Sequence, residues 1–476
     1  MINIGGIIKS IQNIMRQDKG LNGDAQRIEQ LGWMLFLKIF DDKDMEMELM
    51  DDNYISPIPT KFQWHNWAGD DEGITGDELL EFINQLFVSL KSLPSASTNR
   101  RALLITEVFE GNNNYMKSGT LLRQVVNKLN EIDFNSSTDK HLFGEIYETI
   151  LKELQSAGNS GEFYTPRAIT QFVTDMVDPK LGEIVLDPAC GTGGFLTTSI
   201  EHIRQNQVHS VEDREMLQKS IRGFELKPLP HMLALTNLIL HDIEVPDITY
   251  DDALSKELSS IKEKERVHCV LANPPFGGNV SDGMETNFPA KYRTKESADL
   301  FLQLIIRYLK NQGRAGIVLP DGSLTGDGVK ARIRQKLLTD CNLHTIIRLP
   351  NSVFQPYASV ATNLLFFTKG SPTKEIWYYE HKLPQGQKSY SKTKPIKINE
   401  FDTLKAWWHN REENQQAWKV DIETIKKSGW NLDIKNPFKE KEEELKSSAE
   451  LLEMLHNSFT KSDELLIELK KEFANG

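Results

Sequence analysis

The chain has 476 residues, of which 39% are hydrophobic and 26% charged, the balance of an ordinary soluble globular protein and a poor match to disordered or collagen-like chains. At roughly 150 residues per domain the length fits two or three domains. The 56 basic against 68 acidic side chains leave a net charge of −12, which speaks against a chain that binds nucleic acid by itself, because such binders neutralise phosphates with an excess of Lys and Arg.

The opening stretch MINIGGIIKSIQNIMRQDKG has no compact apolar run followed by a small-residue cleavage site, so secretion is not expected. Over 24–50, Ile28, Leu31, Leu35 and Ile39 recur at helical spacing behind Asn22-Gly23-Asp24, which offers capping chemistry. Residues 54–67, broken by Pro57, Pro59 and two tryptophans, read as an irregular connection. Helical patterns follow over 78–93, 121–132 and 142–155. Residues 1–155 therefore read as a helical N-terminal domain, ending at the linker-like 156–161.

Beyond it, short apolar runs at 183–186, 221–224, 269–272, 315–319, 344–348 and 363–368 alternate with helical patterns, among them 195–204, 232–240, 298–310 and 329–341. Strands separated by helices predict an α/β fold with a mostly parallel sheet, whose ligands sit at the carboxyl ends of the strands. No apolar run approaches the roughly 18 residues of a membrane helix. Cys190, Cys269 and Cys341 form no CxxC pair, which fits a reducing cytoplasm and gives neither a disulfide nor a zinc site. Near the end, Leu445, Leu452, Phe459, Leu466 and Phe473 fall seven apart, with Leu455 and Leu469 between them. This predicts a coiled-coil helix over 437–476 that needs a partner surface, or else packs on its own chain. Ser448 and Ser462 weaken its seam.

Val185 to Phe195 reads VLDPACGTGGF, an apolar strand, the acid Asp187 and a turn containing Gly191, Thr192, Gly193 and Gly194 that leads into a helix. Glycines let a ligand approach the backbone, and the helix start offers free N–H groups. Dinucleotide, nucleotide and S-adenosylmethionine sites all share such a turn, but this one lacks both the Walker lysine and the GxGxxG spacing. Glu225 ends the next strand, where a carboxylate can accept bonds from ribose hydroxyls. It lies 38 positions after Asp187 instead of the roughly 20 of a dinucleotide unit, which weakens the dinucleotide reading. A surface glutamate at a strand end is the plainer alternative.

Asn273-Pro274-Pro275-Phe276 follows an apolar strand. Two prolines cannot continue a ladder, so the chain leaves the sheet stiff and extended at the strand's carboxyl end. There the Asn273 side-chain oxygen and a proline-pair carbonyl can both accept from one NH2 group, and Phe276 can stack on the ring that carries it.

Together with Gly161-Glu162-Phe163-Tyr164-Thr165-Pro166-Arg167, and with the later segments 313–320 (GRAGIVLP) and 349–354 (LPNSVF), these motifs make the chain similar to the amino-methyltransferases that methylate N6 of adenine in DNA. In particular it resembles the methylation subunits of type I restriction-modification systems. The resemblance implies a Rossmann-like, S-adenosylmethionine-dependent core over 156–370, an extension or connection over 371–436 and a partner-docking helix over 437–476. It further implies that Glu162, Phe163, Tyr164, Thr165, Pro166 and Arg167, with Asp187, Gly191, Thr192, Gly193 and Gly194, contact S-adenosylmethionine. Glu225 would hold the ribose and Asp252, in preference to its neighbour Asp251, the cofactor's adenine. Asn273, Pro274, Pro275 and Phe276 would form the catalytic site, with no metal, and S-adenosylhomocysteine would be the product.

The implied partners are double-stranded DNA, a specificity subunit that reads the sequence, two methylation subunits to each such subunit, and a restriction subunit; no membrane is implied. The target base would be flipped out to reach the site, and the loop 277–296, with Lys291, Arg293 and Lys295, is either a phosphate contact or a solvated loop. Three other readings are a solitary adenine methyltransferase, a protein glutamine methyltransferase gripping an amide by the same physics, and a noncatalytic assembly subunit. The roughly 65 residues between Ser371 and Pro437 leave little room for a base-reading domain, which disfavours the first.

Overall fold

The computed structural model describes residues 4–94, 99–132, 165–355, 360–391 and 393–438, and positions 452, 455, 456 and 459–462. The helical pattern at 142–155, the linker 156–161, Glu162, Phe163 and Tyr164 lie outside the described residues. So does most of the heptad tail. Of its apolar positions Leu452, Leu455 and Phe459 are described, and all three are exposed.

Among the described residues nine strands form one sheet in the order β3-β2-β1-β4-β5-β7-β6-β8-β9: β1 Val185–Asp187, β2 Ile221–Glu225, β3 Asp247–Tyr250, β4 Val267–Ala272, β5 Leu309–Pro320, β6 Cys341–Arg348, β7 Thr362–Lys369, β8 Glu375–Glu380 and β9 Ala417–Asp421. The run β3-β2-β1-β4-β5 is parallel throughout. β7 runs antiparallel between β5 and β6, and β9 antiparallel to β8, so the sheet is mostly, not wholly, parallel. Alternate residues face opposite sides. Cys269 and Leu271 join the cluster under helices Arg167–Val177, Gly194–Gln207 and Pro228–Leu240. Val270 and Ala272 join the one under helices Ser297–Tyr308 and Val329–Asp340.

From β1 the chain winds outward through β2 and β3, then returns to β4 on the other side of β1. That reversal opens a crevice at the carboxyl ends of β1 and β4, where ligands bind in such sheets. With Leu186 paired to Val270, Asp187 and Asn273 emerge on neighbouring strands at this crevice. Helix Arg167–Val177 lies against β5 so closely that a Cβ on Gly316 would stand 2.5 Å from Val173 Cγ1.

The N-terminal region is helical where described, with Ile4–Met15, Asp24–Met50, Gly76–Leu90, Arg100–Glu110 and Gly119–Asn130. Trp33 sits at its centre, edge-on to Phe87 at 5.2 Å. Helix Asp24–Met50 meets helix Pro228–Leu240 of the sheet region at Gly32, where a Cβ would come within 2.3 Å of Met232 Cε. Buried Arg101 adds a polar tie, bonded to Asp44 and, at 2.8 Å, to the Glu244 carbonyl. The expected capping by Asn22-Gly23-Asp24 is corrected in one detail. Gly23 is the cap residue and no side chain caps the helix; instead the Asn22 N–H donates to Gln26 Oε1 at 2.6 Å, because a glycine has no side-chain acceptor to offer.

Candidate active site

The turn after β1 is built by its own glycines and held from two sides. Gly191 has φ +53 and Gly193 φ +80, left-handed values that other residues adopt at a cost. The Cys190 N–H donates to the Phe224 carbonyl of β2 at 3.0 Å, and Asn237 Nδ2 of helix Pro228–Leu240 donates to the Thr192 carbonyl at 3.0 Å. No side chain caps helix Gly194–Gln207, so its first N–H groups remain for a ligand. A Cβ on Gly191 would meet nothing within 4 Å; this side of the turn is open. Asp187 lies beneath the turn, 2% exposed, and accepts the Ala189 N–H at 3.0 Å. Burial, helped by the nearby Glu225 charge, raises its carboxyl to about 8.

Glu225 stands at the end of β2, and both of its oxygens are engaged. Oε2 accepts the Gly191 N–H at 2.9 Å and Oε1 the Lys227 N–H at 2.8 Å. The carboxylate is thus fixed against the glycine turn. The Asp251 N–H donates to the Glu225 carbonyl at 3.1 Å, which places the Asp251-Asp252 pair beside it. Asp252 Oδ1 accepts the Leu254 N–H at 2.9 Å. Asp251, the more exposed of the two, accepts the Asp252 N–H at 2.8 Å. Each carboxylate holds its own turn.

Past β4, Asn273 is 9% exposed. Its Nδ2 donates to Thr165 Oγ1 at 2.9 Å, while its Oδ1 is buried with no hydrogen-bond partner. Pro274 is buried and Pro275 exposed. The half-buried Phe276 ring meets buried Phe354 edge-on, with centroids 6.3 Å apart and planes at 86°. The loop that follows closes at its base, Val280 N–H to the Lys295 carbonyl at 2.9 Å and Ser297 N–H to the Gly278 carbonyl at 3.1 Å. Its three basic side chains act within the loop. Lys295 pairs with Asp282 at 2.6 Å, Arg293 Nε donates to the Phe288 carbonyl at 3.0 Å, and Lys291 lies over the Tyr292 ring.

The described end of the GEFYTPR segment joins this site through Thr165. Pro166 is the cap residue of helix Arg167–Val177. Arg167 turns to helix Gly194–Gln207 and grips both oxygens of Glu201 at 2.9 and 2.8 Å. Burial opposes ionisation of Glu201, but His241, 3.1 Å away, and Arg167 outweigh it and bring the carboxyl down to about 2. The crevice therefore gathers Thr165, the glycine turn, Glu225, Asn273 and Phe276, whereas the Arg167 head is occupied by Glu201. Sequence reasoning gave no role to Phe354, although it closes the quoted LPNSVF segment, and none to Asn237 or Glu201, whose helical positions carry no local signal. Among the described residues no group of three or more His, Cys, Asp or Glu could hold a metal, and no helix is long and apolar enough to cross a membrane.

The sequence matches the N-6 DNA methylase family over residues 138–446 and the HsdM N-terminal domain over residues 4–129. It is 56% identical over 447 residues, 92% of this chain and 91% of the relative, to the type I restriction enzyme EcoEI methylase subunit of Escherichia coli. To the EcoKI methylase subunit of Escherichia coli K12 it is 30% identical, over 78% of this chain and 69% of that one. The fold superposes with a TM-score of 0.83 on a crystal structure of a modification subunit from Vibrio vulnificus YJ016, 46% identical over 91% of this chain and 96% of that one. With a chain from a structure of the type I R-M system the TM-score is 0.81, at 34% identity over 99% and 98% of the two chains. The chain belongs to the N-6 DNA methylase family, as a type I restriction-modification methylase subunit and adenine-specific DNA methyltransferase.

Proposed function

We propose that the crevice uses S-adenosylmethionine to methylate the N6 amine of a flipped-out adenine, and that Asn273, Pro274, Pro275 and Phe276 carry the chemistry. The residues fit the cofactor on three counts: a glycine turn with open space over Gly191, a helix start without a capping side chain and an adjacent fixed carboxylate in Glu225. Glu225 would hold the ribose, the turn at Asp187 and Gly191 to Gly194 the amino-acid end, and Asp252 the adenine. Residues 162–164 would complete this side. S-adenosylmethionine, when bound, supplies a methyl group activated by a sulfonium centre and leaves as S-adenosylhomocysteine.

The observation that carries the reading is Asn273 Oδ1, a buried acceptor with no partner in a tightly held amide. A buried acceptor left unmade costs about 1–3 kcal/mol, a cost that an incoming amine hydrogen would remove. The adenine amine is a poor nucleophile because its lone pair is delocalised into the ring. Two acceptors, Asn273 Oδ1 and the Pro274 carbonyl, would draw its hydrogens to one side and favour a pyramidal nitrogen with its lone pair directed at the methyl. Positioning and electrostatics would supply most of the acceleration. Phe276, braced by Phe354, would replace stacking lost when the base leaves the duplex.

The net charge supports assembly with a specificity subunit that reads the DNA and contributes phosphate affinity; the family resemblance would give two methylation subunits to each, with the heptad tail 437–476 as docking helix. A restriction subunit would complete the complex, and methylation would protect host DNA from it. Domain limits at 155, 370 and 436 follow the same scheme, as does a cytoplasmic location. The test is methyl transfer from labelled S-adenosylmethionine to DNA, to protein or to neither, with and without the specificity subunit. Label entering adenine N6 only in the assembled complex is the expected result; label entering a protein amide alone would refute the reading.

A further inference from the structure

We propose that Thr165 is a positioning residue for methyl transfer: its hydroxyl oxygen accepts from the Asn273 amide nitrogen and anchors that amide with its oxygen left for the target amine. The inference rests on the role assigned to Asn273 above. It gives Thr165 a task different from the cofactor contact that its motif implies.

An asparagine amide has an acceptor end and a donor end of nearly the same shape, and the terminal torsion that exchanges them is broad and roughly two-fold. A hydroxyl can serve either end, so Thr165 fixes the amide in place, and the target amine, which offers two donors, favours the orientation that turns the oxygen toward it. Exchanged, the Asn273 NH2 would face the adenine NH2, donor against donor, and no hydrogen bond could form. In the structure Nδ2 donates to Thr165 Oγ1 at 2.9 Å. Since Nδ2 can only donate, the hydroxyl oxygen is the acceptor, and Oδ1 is left as the free end.

The support for Thr165 is itself rigid. Proline at 166 restricts the residue before it to extended backbone, and the helix that follows is anchored at Arg167 by Glu201. One turn on, Phe172 of the same helix stacks on Phe401 with centroids 4.4 Å apart and planes at 16°. A segment 108 residues away in sequence thus holds the catalytic amide in place.

The test compares Thr165→Val, Thr165→Ser and Asn273→Ala in the full chain assembled with its specificity subunit, reading kcat and KM for methylation, and S-adenosylhomocysteine affinity by calorimetry. Valine keeps the shape and removes the acceptor; serine keeps the acceptor. We expect Thr165→Val to lower kcat about 10- to 100-fold, the scale of a misplaced reacting group, with affinity for S-adenosylhomocysteine within about twofold. Thr165→Ser restores most of the turnover. Thr165→Val with normal kcat, or with affinity falling in step with kcat, would overturn the proposal. If Thr165→Val does not fold, Thr165→Ala is read against Thr165→Ser by the same criteria. Full turnover by Asn273→Ala would instead remove the active-site reading itself, so the two failures are distinct.

Discussion

Asp187 shows what burial does to one side chain of the site. The carboxyl lies under the glycine turn, and desolvation with the neighbouring Glu225 charge lifts it from 3.8 to about 8. The folded chain then keeps a proton that the unfolded chain releases near pH 4. Stability from this group is fully present below the unfolded value and is lost as pH rises toward 8. Asp187→Asn keeps an acceptor for the Ala189 N–H and cannot titrate. The melting temperature of the variant should gain on that of the parent from pH 5 to about pH 8 and level off above it; a difference constant over that range would contradict the assignment. At this scale the residue types of the site were legible, because VLDPACGTGGF and NPPF are contiguous and their chemistry is local. The bonds that aim them were not: Thr165 to Asn273, Asn237 to Thr192 and Arg167 to Glu201 span distant positions and leave no periodic mark.

Among the elements, the turn between β1 and helix Gly194–Gln207 bears the most constraint. Gly191 combines φ +53 with an open outer side, so Gly191→Ala introduces about 1–2 kcal/mol of backbone strain and puts a methyl group where the ligand would pass. Calorimetry should show weaker S-adenosylhomocysteine binding in a chain that still melts cooperatively; unchanged affinity would show that the ligand does not approach this side. The strands flanking the crevice were readable because β1, β4 and β5 are buried apolar runs bounded by turn residues. β3 was missed: only four residues long, it lies at the sheet edge with just Ile248 buried. β8 and β9 were missed within a stretch read as extension or connection. Their cores are aromatic, with Tyr378 stacked on Trp418 at 5.3 Å, and each is too short to display a period of two clearly. Helix Ile4–Met15 also went unread, since its two glycines resemble a breaker.

Over the whole molecule, the helical N-terminal region and the sheet region are joined by close packing at Gly32 and by buried Arg101, which pairs with Asp44 of its own region and donates to the Glu244 carbonyl across the junction. Arg101 and Asp44 have side chains 8% and 3% exposed, and Asp44 also accepts from Tyr54 at 2.6 Å. Removing one partner of such a pair costs about 3–5 kcal/mol, because the other charge stays buried. Arg101→Ala should therefore lower stability to denaturant by about that amount while the glycine turn and NPPF keep their geometry. A loss under about 1 kcal/mol would show that the junction does not depend on Arg101. The same scale gives the charge its meaning. A net −12 and basic loop residues engaged within their own loop agree with the proposed assembly, in which another chain supplies the affinity for DNA.

In the proposed reaction Asn273 acts on the target amine and not on the cofactor. The most direct test is Asn273→Ala in the assembled complex, with methyl transfer to adenine N6 and S-adenosylhomocysteine affinity measured on the same preparation. Transfer should be lost while affinity stays within about threefold, a shift of under 1 kcal/mol. Undiminished transfer, or transfer and affinity lost together, would contradict that role.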